Sequence, residues 1–385
     1  MKNQFTIPLL GAGLFGILFG RTIDSFEKFP MDPNYNYLHS ASLNGAKSWF
    51  DLDPYVHFGA HLLSWLASFA TLNFESIALS LIVNAVWSSI GVCIFFLLRR
   101  EGIPTFICFL STLTLALCPA AAESSLANVG NVKWPMIILA IVLTSSKQIV
   151  RSPYLAGLYL FVTGLTNPLT AIVFLPMLMN LSRREAHERK KFIPIILGLT
   201  SSLLIQVIAV GSSGLTTGSG GSKTYTPWPG MGLFWWGGLI GPSALCLIVL
   251  FIYSMFNVMA VSPLTIRITV TGLLLSVSSY FYGGIADRYF VAPMVLSWIA
   301  SIALLSDILR STRRRHRAVS TVLAAIVFAV PVVHWFDASW YLTTGPTWSS
   351  EVSKAKLTCR SNSQSVSLNI GTSAYELSCS YILNE

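Results

Sequence analysis

ESIALSLIVNAVWSSIGVCIFFLL, residues 75–98, runs directly into Arg99 and Arg100. Only Glu75, at its start, carries a charge, and about 20 consecutive apolar residues are what a helix needs to cross a hydrocarbon core of roughly 30 Å. The arginine pair marks the end of such a span, on the side that retains basic loops. The same alternation recurs on both sides of this stretch. Apolar segments at 7–20, 103–119, 134–146, 153–165, 167–181, 192–210, 232–256, 264–283, 290–309 and 318–335 bring the reading to about eleven spans. Several are short, so two of them are candidates for half-helices or a hairpin.

Composition agrees with that reading. Hydrophobic residues make up 53% and charged residues 11% of the chain, and the mean hydropathy is +0.64. A water-facing surface needs far more charge, which excludes a soluble protein. The formal net charge of +9 would suggest nucleic acid in a soluble domain. Here the lysines and arginines gather between apolar segments, so the basicity reports orientation and no nucleic-acid partner is expected.

With the N-terminus inside, every short basic cluster falls on the cytoplasmic side: Arg99 and Arg100, Lys147 and Arg151, the run RREAHERKK at 183–191, Arg267, and RSTRRRHR at 310–317. Segments 21–73, 119–133, 211–231 and 336–385 then lie outside, with the loop around Asp287 and Arg288. Arg21, Lys28 and Lys47 run against the rule, but long loops translocate largely regardless of charge. The first apolar segment has no small-residue cleavage site followed by a soluble domain, so it is expected to stay as an uncleaved helix. The expected architecture is all-α and multi-pass, with a membrane domain over 1–335, a first outer loop at 21–73 and an extracytoplasmic tail at 336–385.

Cysteine placement fits this layout. Cys93, Cys108, Cys118 and Cys246 lie in or beside apolar segments without CxxC spacing and read as packing residues. Cys359 and Cys379 fall in the outer tail, in an oxidising compartment, where a disulfide between them is expected. The tail stretches Ser365–Ile370 and Tyr375–Ile382 alternate as a hairpin would. Gly211–Ser222 is Gly/Ser-rich and reads as a loop.

The first outer loop is dense in carboxylates and rings: Asp24, Glu27, Asp32, Tyr35, Tyr37, His39, Asp51, Asp53, Tyr55, His57 and His61. Within it MDPNYNYLHSASLNG, residues 31–45, begins with Asp-Pro, which places Asp32 at the start of a short helix lying on the membrane surface. In a chemical role Asp32 would face a cavity and accept a proton from an acceptor hydroxyl. His57 and His61, four apart, share a helix face. That spacing can hold a metal, but no HExxH pattern or third ligand accompanies it, and a hydrogen bond to substrate or to Asp53 is the preferred role.

The Asp-Pro-x-Tyr-x-Tyr-Leu sequence at 32–38, followed by His57-Phe58-Gly59, resembles the first outer loop of bacterial membrane proteins of the GT-C glycosyltransferase superfamily. ESSLANVGNVKWP at 123–135 is similar to the segment of that group in which an acidic residue and an Asn precede a Trp opening the next helix. DRYFVAP at 287–293 resembles the Arg-Tyr at the start of a late helix, and GPTWSSEV at 345–352 is similar to a tail segment of uncharacterised relatives. The resemblance implies transfer of one sugar from a polyprenyl-phosphate donor to an extracytoplasmic glycan or lipid-linked acceptor. The reaction would invert the sugar carbon and take place at the outer face of a bacterial inner membrane. It implies Asp32 as general base. Pro33 stands where many members carry a second acidic residue, which leaves Asp24, Asp51 and Asp53 as alternatives, Asp53 foremost.

A lipid phosphate leaving group needs an outer cation, and Arg288, then Lys133, are the candidates. Tyr35, Tyr37, His57, Glu123 and Asn128 are candidate substrate contacts, although Glu123 and Asn128 also suit helix capping. The resemblance singles out no cofactor and leaves a divalent metal open, since members of the superfamily differ in whether one assists. The rival readings are a lipid-linked-sugar flippase, a polysaccharide polymerase or ligase, and a non-catalytic subunit. A flippase would carry ionisable residues inside its spans, where Asn84 and Gln206 are the main polar residues here. A polymerase would concentrate Arg and His in a large later outer loop, where this chain has only Lys223.

Overall fold

The structure is a computed structural model that describes residues 6–28, 32–51, 55–118, 121, 125–212, 261–283, 290–309, 346–361, 364–370 and 373–384. Expected spans at 232–256 and 318–335 lie outside these residues, as do Asp53, Glu123 and Arg288.

The chain is mostly helical. Its main helices are α1 (Thr6–Thr22), α2 (Asp32–Asn44), α3 (Phe58–Ala67), α4 (Glu75–Arg100), α5 (Thr105–Leu117), α6 (Lys133–Ser145), α7 (Pro153–Thr166), α8 (Phe174–Leu181), α9 (Ile193–Ser212), α10 (Pro263–Gly283), α11 (Val291–Leu309), α12 (Trp348–Arg360) and α13 (Cys379–Asn384). Three stretches, Ile7–Ser25, Leu72–Arg100 and Ala186–Gly211, are long and apolar enough to cross a membrane. Where about eleven spans were expected, α3, α5, α6, α7 and α8 run to only 8–14 residues, while α10 and α11 reach 21 and 19. At 1.5 Å per residue the 13-residue α6 is only about 20 Å long. The difference lies in length, not hydropathy. The expected span at 167–181 is interrupted in the same way: Pro168–Val173 is a 3-10 turn capped by Asn167, and only Phe174–Leu181 is α-helical.

Two helices form the centre. Every residue of α6 from Trp134 to Ser145 except Leu143 is buried, and α11 is buried continuously from Val291 to Ser306. Both are apolar all round, as a helix surrounded by other helices must be. Around them α1, α4 and α5 pack in sequence order, α10 lies against α11, and α7 pairs with α9. The α7–α9 contact brings backbones together through small residues: a Cβ on Gly157 would strike the Pro194 carbonyl, and one on Gly198 the Gly157 carbonyl.

The segment expected as an outer loop, 21–73, is largely helical. α2 begins at Asp32 as expected and ends at Asn44, with Gly45 at φ +57° supplying the left-handed residue that terminates it. α3 is ten residues long, too short to register as a span, and packs against α2, α4 and α7.

At the C-terminus, α12 leads to an antiparallel hairpin, β1 (Ser365–Ile370) and β2 (Ser373–Ser378), registered from Ser365 opposite Ser378 to Ile370 opposite Ser373. The second strand therefore starts earlier than Tyr375, and Cys379–Asn384 is helix rather than strand. Ser378 Oγ accepts from the Tyr381 N–H, which starts that helix. Cys359 and Cys379 are joined by a disulfide with Cα atoms 5.1 Å apart. The unit docks through buried Trp348, whose indole donates to the Leu72 carbonyl at 2.6 Å and whose backbone N–H donates to the Glu27 carbonyl. It thus covers the end of the bundle that carries the 21–73 segment.

Candidate functional site

At that end four rings meet. Tyr37 on α2 lies edge-on to His61 at 4.8 Å between centroids and tilted against His57 at 5.5 Å, while Tyr55 sits on His57 at 4.0 Å. All four are buried. His57 precedes the first turn of α3 and its carbonyl accepts from the His61 N–H, so the four-residue spacing places both imidazoles beside one phenol.

The backbone that presents these rings is held from a distance. Gln206 on α9, itself buried, accepts from the Val56 N–H at 3.0 Å through Oε1. Its Nε2 lies 2.9 Å from the Val56 carbonyl, with the Gly164 and Leu165 carbonyls also in range. Three residues on, the Gly59 N–H donates to Thr166 Oγ1 at 3.1 Å, and a Cβ on Gly59 would run into that side chain. The segment 55–59 is therefore fixed by α7 and α9, neither adjacent in sequence. Gln206 stands out in the sequence as a polar residue inside an apolar span; its partner, 150 residues earlier, does not.

The turn Val129–Asn131 packs against both α2 and α3. Asn128 is buried and its Oδ1 accepts from the Gly130 N–H at 2.9 Å, so its side-chain oxygen caps this turn. Trp134 is fully buried and donates to Asn131 Oδ1 at 3.2 Å. Lys133 lies 5.4 Å from the Trp134 ring centroid in a cation–π contact. The indole lies inside the protein, unlike that of an interfacial Lys–Trp anchor.

Among the first-segment carboxylates, Asp24 lies exposed on the 3-10 turn Ile23–Ser25, and Asp51 accepts from the Ser40 hydroxyl. Asp32 and Tyr35 are placed by backbone alone, on the first turn of α2. His39, on the same helix, is half-buried, and that burial holds its imidazole below the usual histidine range. Among the described residues no three His, Cys, Asp or Glu side chains are grouped as a metal site. The cluster thus brings two imidazoles and two phenols, groups that can donate and accept hydrogen bonds, into mutual contact.

Three features of this end were not visible in the sequence. Arg21 donates to the Ala116 and Cys118 carbonyls and so caps the last turn of α5, which explains a basic residue on the unexpected side. Trp49, Phe58, Trp65 and Phe69 form a chain of edge contacts at 5.0–5.9 Å, an aromatic band of the kind found at membrane interfaces. Asn84, read as a polar residue inside a span, donates to Thr22 Oγ1 at 2.8 Å and ties α4 to α1.

No protein-family model matches this chain, and comparison with the curated proteins gives no match.

Proposed function

We propose that the protein is a multi-pass membrane glycosyltransferase that moves one sugar from a polyprenyl-phosphate donor to an extracytoplasmic glycan or lipid-linked acceptor. The ring cluster end would face outward from a bacterial inner membrane. The observation that carries this reading is the convergence of Tyr37, Tyr55, His57 and His61, on a backbone clamped by Gln206 and Thr166, at the end opposite the short basic clusters. It adds to the resemblance of the 32–38 and 57–59 motifs to GT-C enzymes. In this reading Asp32 on α2, or Asp53, is the general base, and Tyr35, Tyr37 and His57 orient the sugar. Glu123 and the turn beginning at Asn128 close the site, while Arg288 and Lys133 meet the departing phosphate. Transport is the weaker reading because Asn84 and Gln206 are engaged in fixed contacts between helices.

The test compares envelope glycans by mass spectrometry in a strain lacking the protein and in the same strain complemented with wild type, Asp32→Ala or His57→Ala. A sugar mass that disappears on deletion, returns with wild type and fails to return with Asp32→Ala is the expected result. Unchanged glycans in all strains would overturn the proposal.

A further inference from the structure

At the opposite end of the bundle from the ring cluster a cavity of about 440 Å³ opens where the ends of α4, α6, α8, α10 and α11 meet. Arg267 lines it from the first turns of α10 and is 6% exposed. One guanidinium nitrogen, Nη1, donates to the Ser145 carbonyl at 2.6 Å, which caps α6. Among the described residues, the Nε–H of the same side chain is buried without a hydrogen-bond partner, and so is the hydroxyl of Ser145, also on the cavity wall. A buried guanidinium N–H and a buried hydroxyl left unmatched are both unfavourable, so two such donors on one cavity point to an acceptor that fills it.

The carboxylates around the cavity are already occupied as acceptors. Glu101 takes the Ser146 hydroxyl at 2.6 Å and the Lys147 N–H at 2.8 Å. Asp307 takes the Ser262 N–H at 2.9 Å and the Thr265 hydroxyl. Glu188 pairs with Arg184, and Glu185 is exposed beside His187. At the mouth, Arg183 and Lys147 are exposed. Ile103, Pro263 and Leu264 supply an apolar edge.

We propose that this cavity binds a phosphate group. Arg267 Nε and Ser145 Oγ would donate to its oxygens from inside, and Arg183 and Lys147 would balance its charge from the rim. A tetrahedral anion with several acceptor oxygens suits donors that converge from different helices. Basic pockets between membrane helices on the side of the basic loops are where anionic lipid headgroups are held. A free phosphate shares that chemistry. The site lies at the opposite end from the ring cluster and stands independently of the proposed transfer reaction.

The experiment is native mass spectrometry of the full-length protein in detergent, offered phosphatidylglycerol or inorganic phosphate, for wild type, Arg267→Gln, Arg183→Gln and the control Arg151→Gln. Wild type and Arg151→Gln should retain a phosphate-bearing adduct, with about tenfold less in Arg267→Gln and Arg183→Gln, the loss of one charge-assisted hydrogen bond or its near equivalent. Adducts with phosphatidylglycerol alone identify a lipid headgroup as the source; adducts with inorganic phosphate identify a soluble ligand. If Arg267→Gln does not fold, the exposed Arg183 variant still decides the matter. No adduct on wild type, or equal adducts on all four proteins, overturns the proposal.

Discussion

The two ends of the bundle use polar side chains in opposite ways. At the basic end, side chains reach backward to cap helix termini: Asn180 donates to the Thr144 and Ser146 carbonyls at 3.0 and 2.8 Å, Arg267 takes the Ser145 carbonyl, and Arg184 donates to Asn180 Oδ1 at 3.2 Å. At the other end it is the backbone of 55–59 that is clamped, by Gln206 and Thr166, so that the ring side chains project from a fixed base. The first arrangement consumes side chains to close the fold. The second holds four buried rings against one another on a fixed base. Stability and chemistry should therefore separate by end, and substitutions can test whether they do.

The largest effect on stability is expected at Asn180. Asn180→Leu keeps the volume but leaves two buried carbonyls at the end of α6 without their donor, which costs about 2–4 kcal/mol. Detergent-solubilised protein should unfold at lower temperature, while glycan transfer per folded molecule stays at the wild-type level. Transfer falling in step with folded protein would fit; transfer falling while stability holds would erase the distinction between the ends.

Gln206→Leu should give the reverse pattern. Only the clamp on Val56 and its neighbours is removed, at about 1–3 kcal/mol, yet the ring cluster loses its base. Sugar transfer in the complementation assay should fall more than the folded fraction does. Equal losses would mean that Gln206 serves the α7–α9 contact alone.

How much of this could be read beforehand depends on how local the determinant is. The 75–98 span, the start of α2 at Asp32 and its end before Gly45 are set by residues within one or two turns, and the structure places them there. α6 and α11 were expected as spans, and hydropathy could not tell a helix facing lipid from one facing other helices; burial on every side is a tertiary property. α3 escaped because ten residues fall short of a span, although its apolar run fits the bundle. Of the expected site, Tyr37 and His57 meet, and His61 joins them through a spacing visible in the sequence. Tyr55 was visible only as one ring among many, and the clamp depends on residues brought together across 150 positions.

His39 provides the finest probe of the ring-bearing end. Burial lowers its affinity for protons in the folded protein relative to the ordinary value of 6.5. The unfolded chain then binds the proton more readily, so stability rises with pH across this range. The contribution is complete above about 6.5 and is lost as pH falls through that value toward the lower folded one. His39→Gln should flatten this part of the pH–stability curve with little change near neutrality. A slope of the same sign and size in His39→Gln would move the titrating group away from His39. An unchanged slope in Asn180→Leu would confirm that the pH response does not arise from the cap on α6. Because His39 lies on α2, one helical turn or less from Tyr37, a small titration there reports on the same helix that carries the proposed base.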